Sequence, residues 1–136
     1  MGNVAPIFHT AADGEREEAL ARRIETAWKC RMWRLPPHSP VDYLATDPRG
    51  VLAALVELKC RKCAADTYPS LMVNASKVLT MVDWAHKLGL AAVVVAAYSD
   101  GDRWVALNRD RYTAELGRRP GEPIKPVIYL DGLVPL

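Results

Sequence analysis

The residues Leu90 to Tyr98 form an unbroken apolar run of Leu, Ala, Val and a closing Tyr. It is too short to cross a bilayer as a helix, which takes about 20 residues. It has no polar face, so it does not fit the surface of a half-exposed sheet. Such a run is the pattern of a strand buried on both faces, in the middle of a sheet covered by helices. Val51 to Lys59 begins the same way, apolar on both faces, and reads as a second central strand. Two such strands require layers of helix above and below them, which makes the chain an α/β protein.

The rest of the order follows from capping and periodicity. Asp13 is expected to cap a first helix, with Glu15, Glu17 and Glu18 in the turns that the dipole favours for acids. Leu20, Ile24, Ala27 and Trp28 give that helix one apolar stripe. Cys30 to Leu35 and Val41 to Thr46 read as strands separated by Pro36, Pro37 and Pro40. Asp47-Pro48-Arg49-Gly50 reads as a tight turn into Val51. The stretch Arg61 to Val73 is expected to be irregular. Asn74 caps a second helix that Val78, Val82, Ala85 and Leu88 line and Gly89 ends. Ala91 to Ser99 and Arg103 to Leu107 are two further strands around an Asp-Gly-Asp turn. The expectation is a central mixed sheet flanked by helices. Residues 1–12 form a lead-in, 13–108 the core, and 109–136 a Pro-rich extension, mostly loop with Val127 to Leu130 as a strand. The extension packs on the core or at a dimer interface.

Composition narrows the partners. The 136 residues suit one domain, and half of them are hydrophobic, enough for one sizeable core. The 18 Lys and Arg against 16 Asp and Glu leave a net charge of +2, which excludes nucleic-acid binding by bulk charge but not by local basic surface. Met1 to Thr10 carries no export-signal pattern. Together with the odd number of cysteines (Cys30, Cys60 and Cys63), this points to reduced thiols in a cytoplasm. No membrane span and no Gly-rich phosphate loop is visible, so neither a membrane role nor a nucleotide cofactor is expected.

The charges Glu57 and Lys59 stand out, because they follow apolar residues on a central strand and share one face. Buried charges need a partner or a metal. If Asp47 to Gly50 is a tight hairpin turn, Asp42 faces Leu55 and becomes a diagonal neighbour of Glu57, within reach of one cation. Carboxylate oxygens suit Mg²⁺, with Mn²⁺ as a substitute. A lysine beside them can position or deprotonate a water and stabilise charge on a phosphate. The chemistry expected is metal-assisted phosphodiester hydrolysis.

Val41-Asp42-Tyr43-Leu44 followed by Val56-Glu57-Leu58-Lys59 resembles the signature of the PD-(D/E)XK nuclease superfamily, with Val41 where the hallmark has proline. The resemblance covers Glu15 to Leu107, including the element order, and is strongest to small Holliday-junction resolvases and phage-encoded nucleases. It implies a restriction-endonuclease-like core and a Mg²⁺-dependent endonuclease that cuts branched or duplex DNA as a homodimer. It further implies a carboxylate on the first helix, Glu17 or else Glu18, completing the metal site of Asp42 and Glu57. It also implies an auxiliary lysine, Lys77, in the first turn of the second helix, in contact with phosphate or the water. Catalysis would then rest on Asp42, Glu57, Lys59, Glu17 and Lys77.

Arg61 and Lys62 follow the catalytic strand and can grip a DNA backbone, and Tyr68 can stack on a base or sugar. Arg31, Arg34, Arg118, Arg119 and Lys125 are further basic candidates. Cys60-Arg61-Lys62-Cys63 lacks the partners of a zinc site. His9, His38 and His86 are isolated, and Trp28, Trp33, Trp84 and Trp104 read as packing. Other readings of the same residues are a nucleic-acid-binding or assembly protein without catalysis, an exonuclease, or an RNA nuclease.

Overall fold

The computed structural model describes residues 11–107, 112–117 and 121–136. The elements are α1 (Ala11–Trp28), β1 (Arg31–Arg34), β2 (Tyr43–Thr46), β3 (Leu52–Cys60), β4 (Leu71–Asn74), α2 (Ala75–Leu88), β5 (Ala91–Tyr98), β6 (Gly101–Ala106), β7 (Tyr112–Gly117), β8 (Lys125–Leu130) and β9 (Val134–Pro135). Six strands form the main sheet in the order β1-β2-β3-β5-β6-β9, and β4-β8-β7 form a second sheet. The apolar runs occupy the centre of the main sheet, where β3 and β5 pair in parallel across the α2 crossover. No described helix is long and apolar enough to cross a membrane.

The main sheet separates two cores. On one face, Leu20, Ala21 and Ile24 of α1 pack on Tyr43, Val56, Leu58, Val93 and Val95. On the other, Val78, Met81 and Ala85 of α2 pack with Leu71, Val73, Ile128 and Leu130 of the second sheet on Leu55, Val94 and Ala96. Alternation along β3 thus sends Leu55, Glu57 and Lys59 toward α2, and Val56, Leu58 and Cys60 toward α1.

Several expectations need correcting. Asp13 is not a cap: α1 is already helical at Ala11, and Asp13 in its first turn pairs with Arg16. The irregular stretch after Arg61 contains β4, which takes Val127 to Leu130 of β8 as its partner strand. The Pro-rich extension is not mostly loop. Pro123 lies between strands, Pro126 near the start of β8 and Pro135 at the end of β9, and the described residues of the extension include β7, β8 and β9. Trp33 and Trp84 are largely exposed rather than core, whereas Trp28 and Trp104 meet edge to face at 5.5 Å. Most of the expected lead-in, with His9, lies outside the described residues, as do Arg118 and Arg119.

The β2–β3 hairpin differs in register. The Gly50 amide donates to the Asp47 carbonyl at 2.9 Å, so the turn forms, but Asp47 pairs with Val51 rather than Gly50. Gly50, at φ +87°, takes the left-handed conformation that closes a three-residue hairpin loop. A bulge follows: Thr46 pairs with Leu52 but Ala45 with Ala54, leaving Ala53 unpaired. Each irregularity adds one residue on the β3 side, so the register moves by two and every side chain keeps its face. Tyr43 then pairs with Val56. Asp42, one residue beyond, stands opposite Glu57 rather than diagonal to it.

Candidate active site

Glu57 is the one buried charged residue among the described residues, at 4% exposure. It reaches this position because β3 is central and its α2 face is covered. Asp42 precedes β2 and is fixed twice. The Leu35 amide donates to the Asp42 carbonyl at 3.0 Å, closing the loop between β1 and β2. The Leu58 amide donates to Asp42 Oδ2 at 3.2 Å. Val41, where the hallmark has proline, is 1% exposed and fills the α2-side core, so an apolar body meets the need at that position.

Lys77 joins the two carboxylates. Asn74 caps α2, accepting from the Ser76 amide at 3.0 Å. This places Lys77 in the first turn with its Nζ 3.1 Å from Glu57 Oε1 and 3.4 Å from Asp42 Oδ1. An ammonium at a helix N-terminus opposes the dipole, and here the two carboxylates outweigh it. Lys59, on the same face of β3, is half-buried and has no ion-pair partner among the described residues.

The electrostatics follow from burial and crowding. Burial, then the hydrogen bond and charge of Asp42, push the Glu57 carboxyl up to about 8. Burial also opposes ionisation of Asp42. The hydrogen bond shared with Glu57, the Lys77 charge and the Leu58 amide outweigh it, so Asp42 sits below its ordinary value. Burial draws the Lys59 ammonium below the usual lysine range, against the pull of Glu57. Lys77 is held above it, because the attraction of Glu57 and Asp42 exceeds its partial burial. A lysine with a depressed pKa next to a carboxylate pair is equipped to exchange a proton with a bound water.

The structure thus gathers Asp42, Glu57, Lys59 and Lys77 on one face. It does not bring Glu17 to them. Glu17 lies on α1, across the sheet, where it pairs with Arg34 at 3.4 Å and influences Cys60, whose side chain faces α1. Glu18 accepts from the Tyr43 hydroxyl at 3.1 Å on that same side. No third Asp, Glu, His or Cys joins the pair to make a metal-ligating group among the described residues. Arg61 lies just past the end of β3 and donates to the Met72 carbonyl at 3.4 Å. Lys62 and Tyr68 are exposed on the loop beyond. Arg31 stacks on Trp33, Arg34 lies over Tyr43, and Lys125 pairs with Glu122, all away from the site. The Leu58 amide is a part of the site that no side-chain pattern signals.

The donor set fits a hard cation that prefers oxygen. Two carboxylates meet at one point, one of them fully buried, and they already draw one positive charge between them. Water and phosphate oxygens would supply the remaining ligands.

Comparison with known proteins agrees with this geometry. Residues 3–130 match the family model described as "Phage putative PDDEXK endonuclease". The fold is similar to that of Archaeoglobus fulgidus Hjc, a Holliday junction resolvase from an archaeal hyperthermophile. The TM-score is 0.55 at 20% identity, covering 85% of each chain. No curated protein matches. The α/β fold is therefore restriction-endonuclease-like, and the chain belongs to this phage PDDEXK endonuclease family.

Proposed function

We propose that the protein is a Mg²⁺-dependent DNA endonuclease that cuts branched DNA as a homodimer, in the manner of a Holliday-junction resolvase. The observation that carries the reading is the convergence of Asp42 and Glu57 with Lys59 and Lys77 on one face of the sheet. Asp42 and Glu57 would hold the cation, which when bound polarises the phosphate and lowers the pKa of a bound water. The Leu58 amide aims Asp42. Lys59, with its lowered proton affinity, holds or takes a proton of the attacking water and faces the charge that develops on the phosphate. Lys77 is shared between both carboxylates and can turn to a phosphate oxygen when substrate arrives. Mn²⁺ serves in place of Mg²⁺. The branched-DNA assignment rests on the likeness of the fold to that of the Holliday junction resolvase Hjc. A single subunit of this size offers little surface for a duplex, and two present it jointly. The three cysteines are free thiols, in keeping with work in a cytoplasm.

The test is cleavage of four-way junction, linear duplex, single-stranded DNA and RNA, each with Mg²⁺, Mn²⁺ or EDTA. The expected result is metal-dependent cutting of the junction above all others, abolished in Asp42→Ala and Lys59→Ala. Equal cutting of linear and branched DNA removes the resolvase reading. No metal-dependent cutting of any substrate removes the enzyme.

A further inference from the structure

Beyond the carboxylate pair, the same sheet face runs into a recess of about 190 Å³ whose lining includes Asp66, Tyr68, Tyr98, Arg103, Asp131 and Leu133. Strand pairing fixes its place. Lys59 pairs with Ala96 and Ala96 with Arg103, so the three form a row across β3, β5 and β6. Ala96, between the two cations, is fully buried in the α2-side core, so the recess opens beyond it, at Tyr98 and Arg103. Tyr98 lies two residues further along β5 and keeps that face, and Arg61, just past the end of β3, donates to the Met72 carbonyl. Val94 is the partner of Glu57, and Tyr98 is four residues on. At about 3.3 Å per residue, the recess begins roughly 13 Å along the sheet from the site.

The walls are tethered. The Ser99 amide donates to the Cys63 carbonyl at 2.9 Å, and the Thr67 amide to the Ala64 carbonyl at 3.1 Å. The Ala65 amide donates to Asp100 Oδ1 at 2.9 Å. Tyr68 is therefore carried on a fastened loop, although it is 67% exposed. The opposite wall, 131–133, is strung between β8 and β9, and β9 is paired to β6.

The chemistry selects a ligand. Two phenol rings offer stacking faces. Arg103 has no carboxylate partner within ion-pair distance among the described residues and can take a phosphate. Asp66 and Asp131 repel phosphate but accept from the amino groups of bases. A space below the about 300 Å³ of a small drug site holds one ring system and excludes a duplex.

We infer that the recess binds one unpaired nucleotide of a branched DNA, its base on Tyr68 and its phosphate at Arg103. The inference rests on the nuclease reading above and names the substrate feature that this site selects. The test uses DNA with a single bulged 2-aminopurine and the matching fully paired duplex, titrated by fluorescence with protein in EDTA. Cleavage of the four-way junction is measured separately with Mg²⁺. The wild type should bind the bulged DNA about tenfold more tightly than the paired one and change the probe's emission on stacking. Tyr68→Ala and Arg103→Gln should each lose that preference with paired-duplex affinity unchanged, and Tyr68→Trp should keep it. Equal affinity of the wild type for both DNAs overturns the inference, as does an unchanged preference in Tyr68→Ala. Preferential binding without cleavage upholds the recess and removes the nuclease reading. Cleavage without preference does the reverse, and the absence of both removes both.

Discussion

Replacing Glu57 with Gln should stabilise the metal-free protein while destroying its activity. The amide has the carboxyl's shape and still offers an oxygen to Lys77, but it carries no charge. In the folded chain the Glu57 carboxyl sits at about 8, against an ordinary 4.5. A raised carboxyl favours the fold below pH 4.5, and that contribution is lost progressively as pH climbs toward 8. Asp42 is shifted the other way, so its contribution is complete above 3.8 and does not vary between pH 5 and 8. Within this window the pH dependence from the pair belongs to Glu57. At about 1.4 kcal/mol per pH unit, keeping Glu57 folded at pH 7 costs at most about 3 kcal/mol. For a chain of this size that corresponds to as much as roughly 10 °C in melting temperature. Melting of both proteins in EDTA, followed by circular dichroism from pH 5 to 8, measures it. The advantage of Glu57→Gln should grow with pH and be small at pH 5. Added Mg²⁺ should raise the wild-type melting temperature more at pH 8 than at pH 6, since binding releases the proton, and should leave the variant unmoved. A variant less stable than wild type by the same amount at every pH would refute the argument and make Glu57 a structural acceptor for Lys77.

Other substitutions separate the roles. Lys59→Met should lower the single-turnover cleavage rate by about 100- to 10,000-fold, with the melting temperature unchanged or higher, because a half-buried ammonium is removed. Asn74→Ala should cost about 1 kcal/mol in urea unfolding and also slow cleavage, because the turn that carries Lys77 loosens. Glu17→Ala should leave the cleavage rate and its Mg²⁺ dependence at wild-type values, since Glu17 lies across the sheet from the site. A steep rise in the Mg²⁺ requirement would place Glu17 back among the ligands.

The parts legible in the sequence are those that one segment encodes by itself. The double-sided apolar run of β5, the Asn74 and Gly89 caps of α2, and the shared face of Glu57 and Lys59 are all local patterns. The misplaced parts depend on relations between segments. The stripe of α1 shows that Glu17 borders a core. It does not say which of the two cores, and the answer puts the sheet between Glu17 and Glu57. The strand Leu71–Asn74 has four residues and ends in a helix cap, so only its pairing with β8 identifies it. The register of Asp42 turned on Ala53, an alanine among other apolar residues whose bulge no local preference marks. The carboxylates still meet because the two irregularities sum to an even number.

That evenness reaches beyond this chain. The turn itself can change length freely, but the paired stretch between Asp42 and Glu57 acts as a reading frame of period two. One residue gained or lost there would swing Asp42 to the side of α1, leaving Glu57 alone against α2, whereas two would restore the site. Viable relatives should therefore differ within this ladder in even steps. A single insertion or deletion in it calls for a compensating one nearby, and a chain in which the compensation is missing should keep its fold signature while losing its metal.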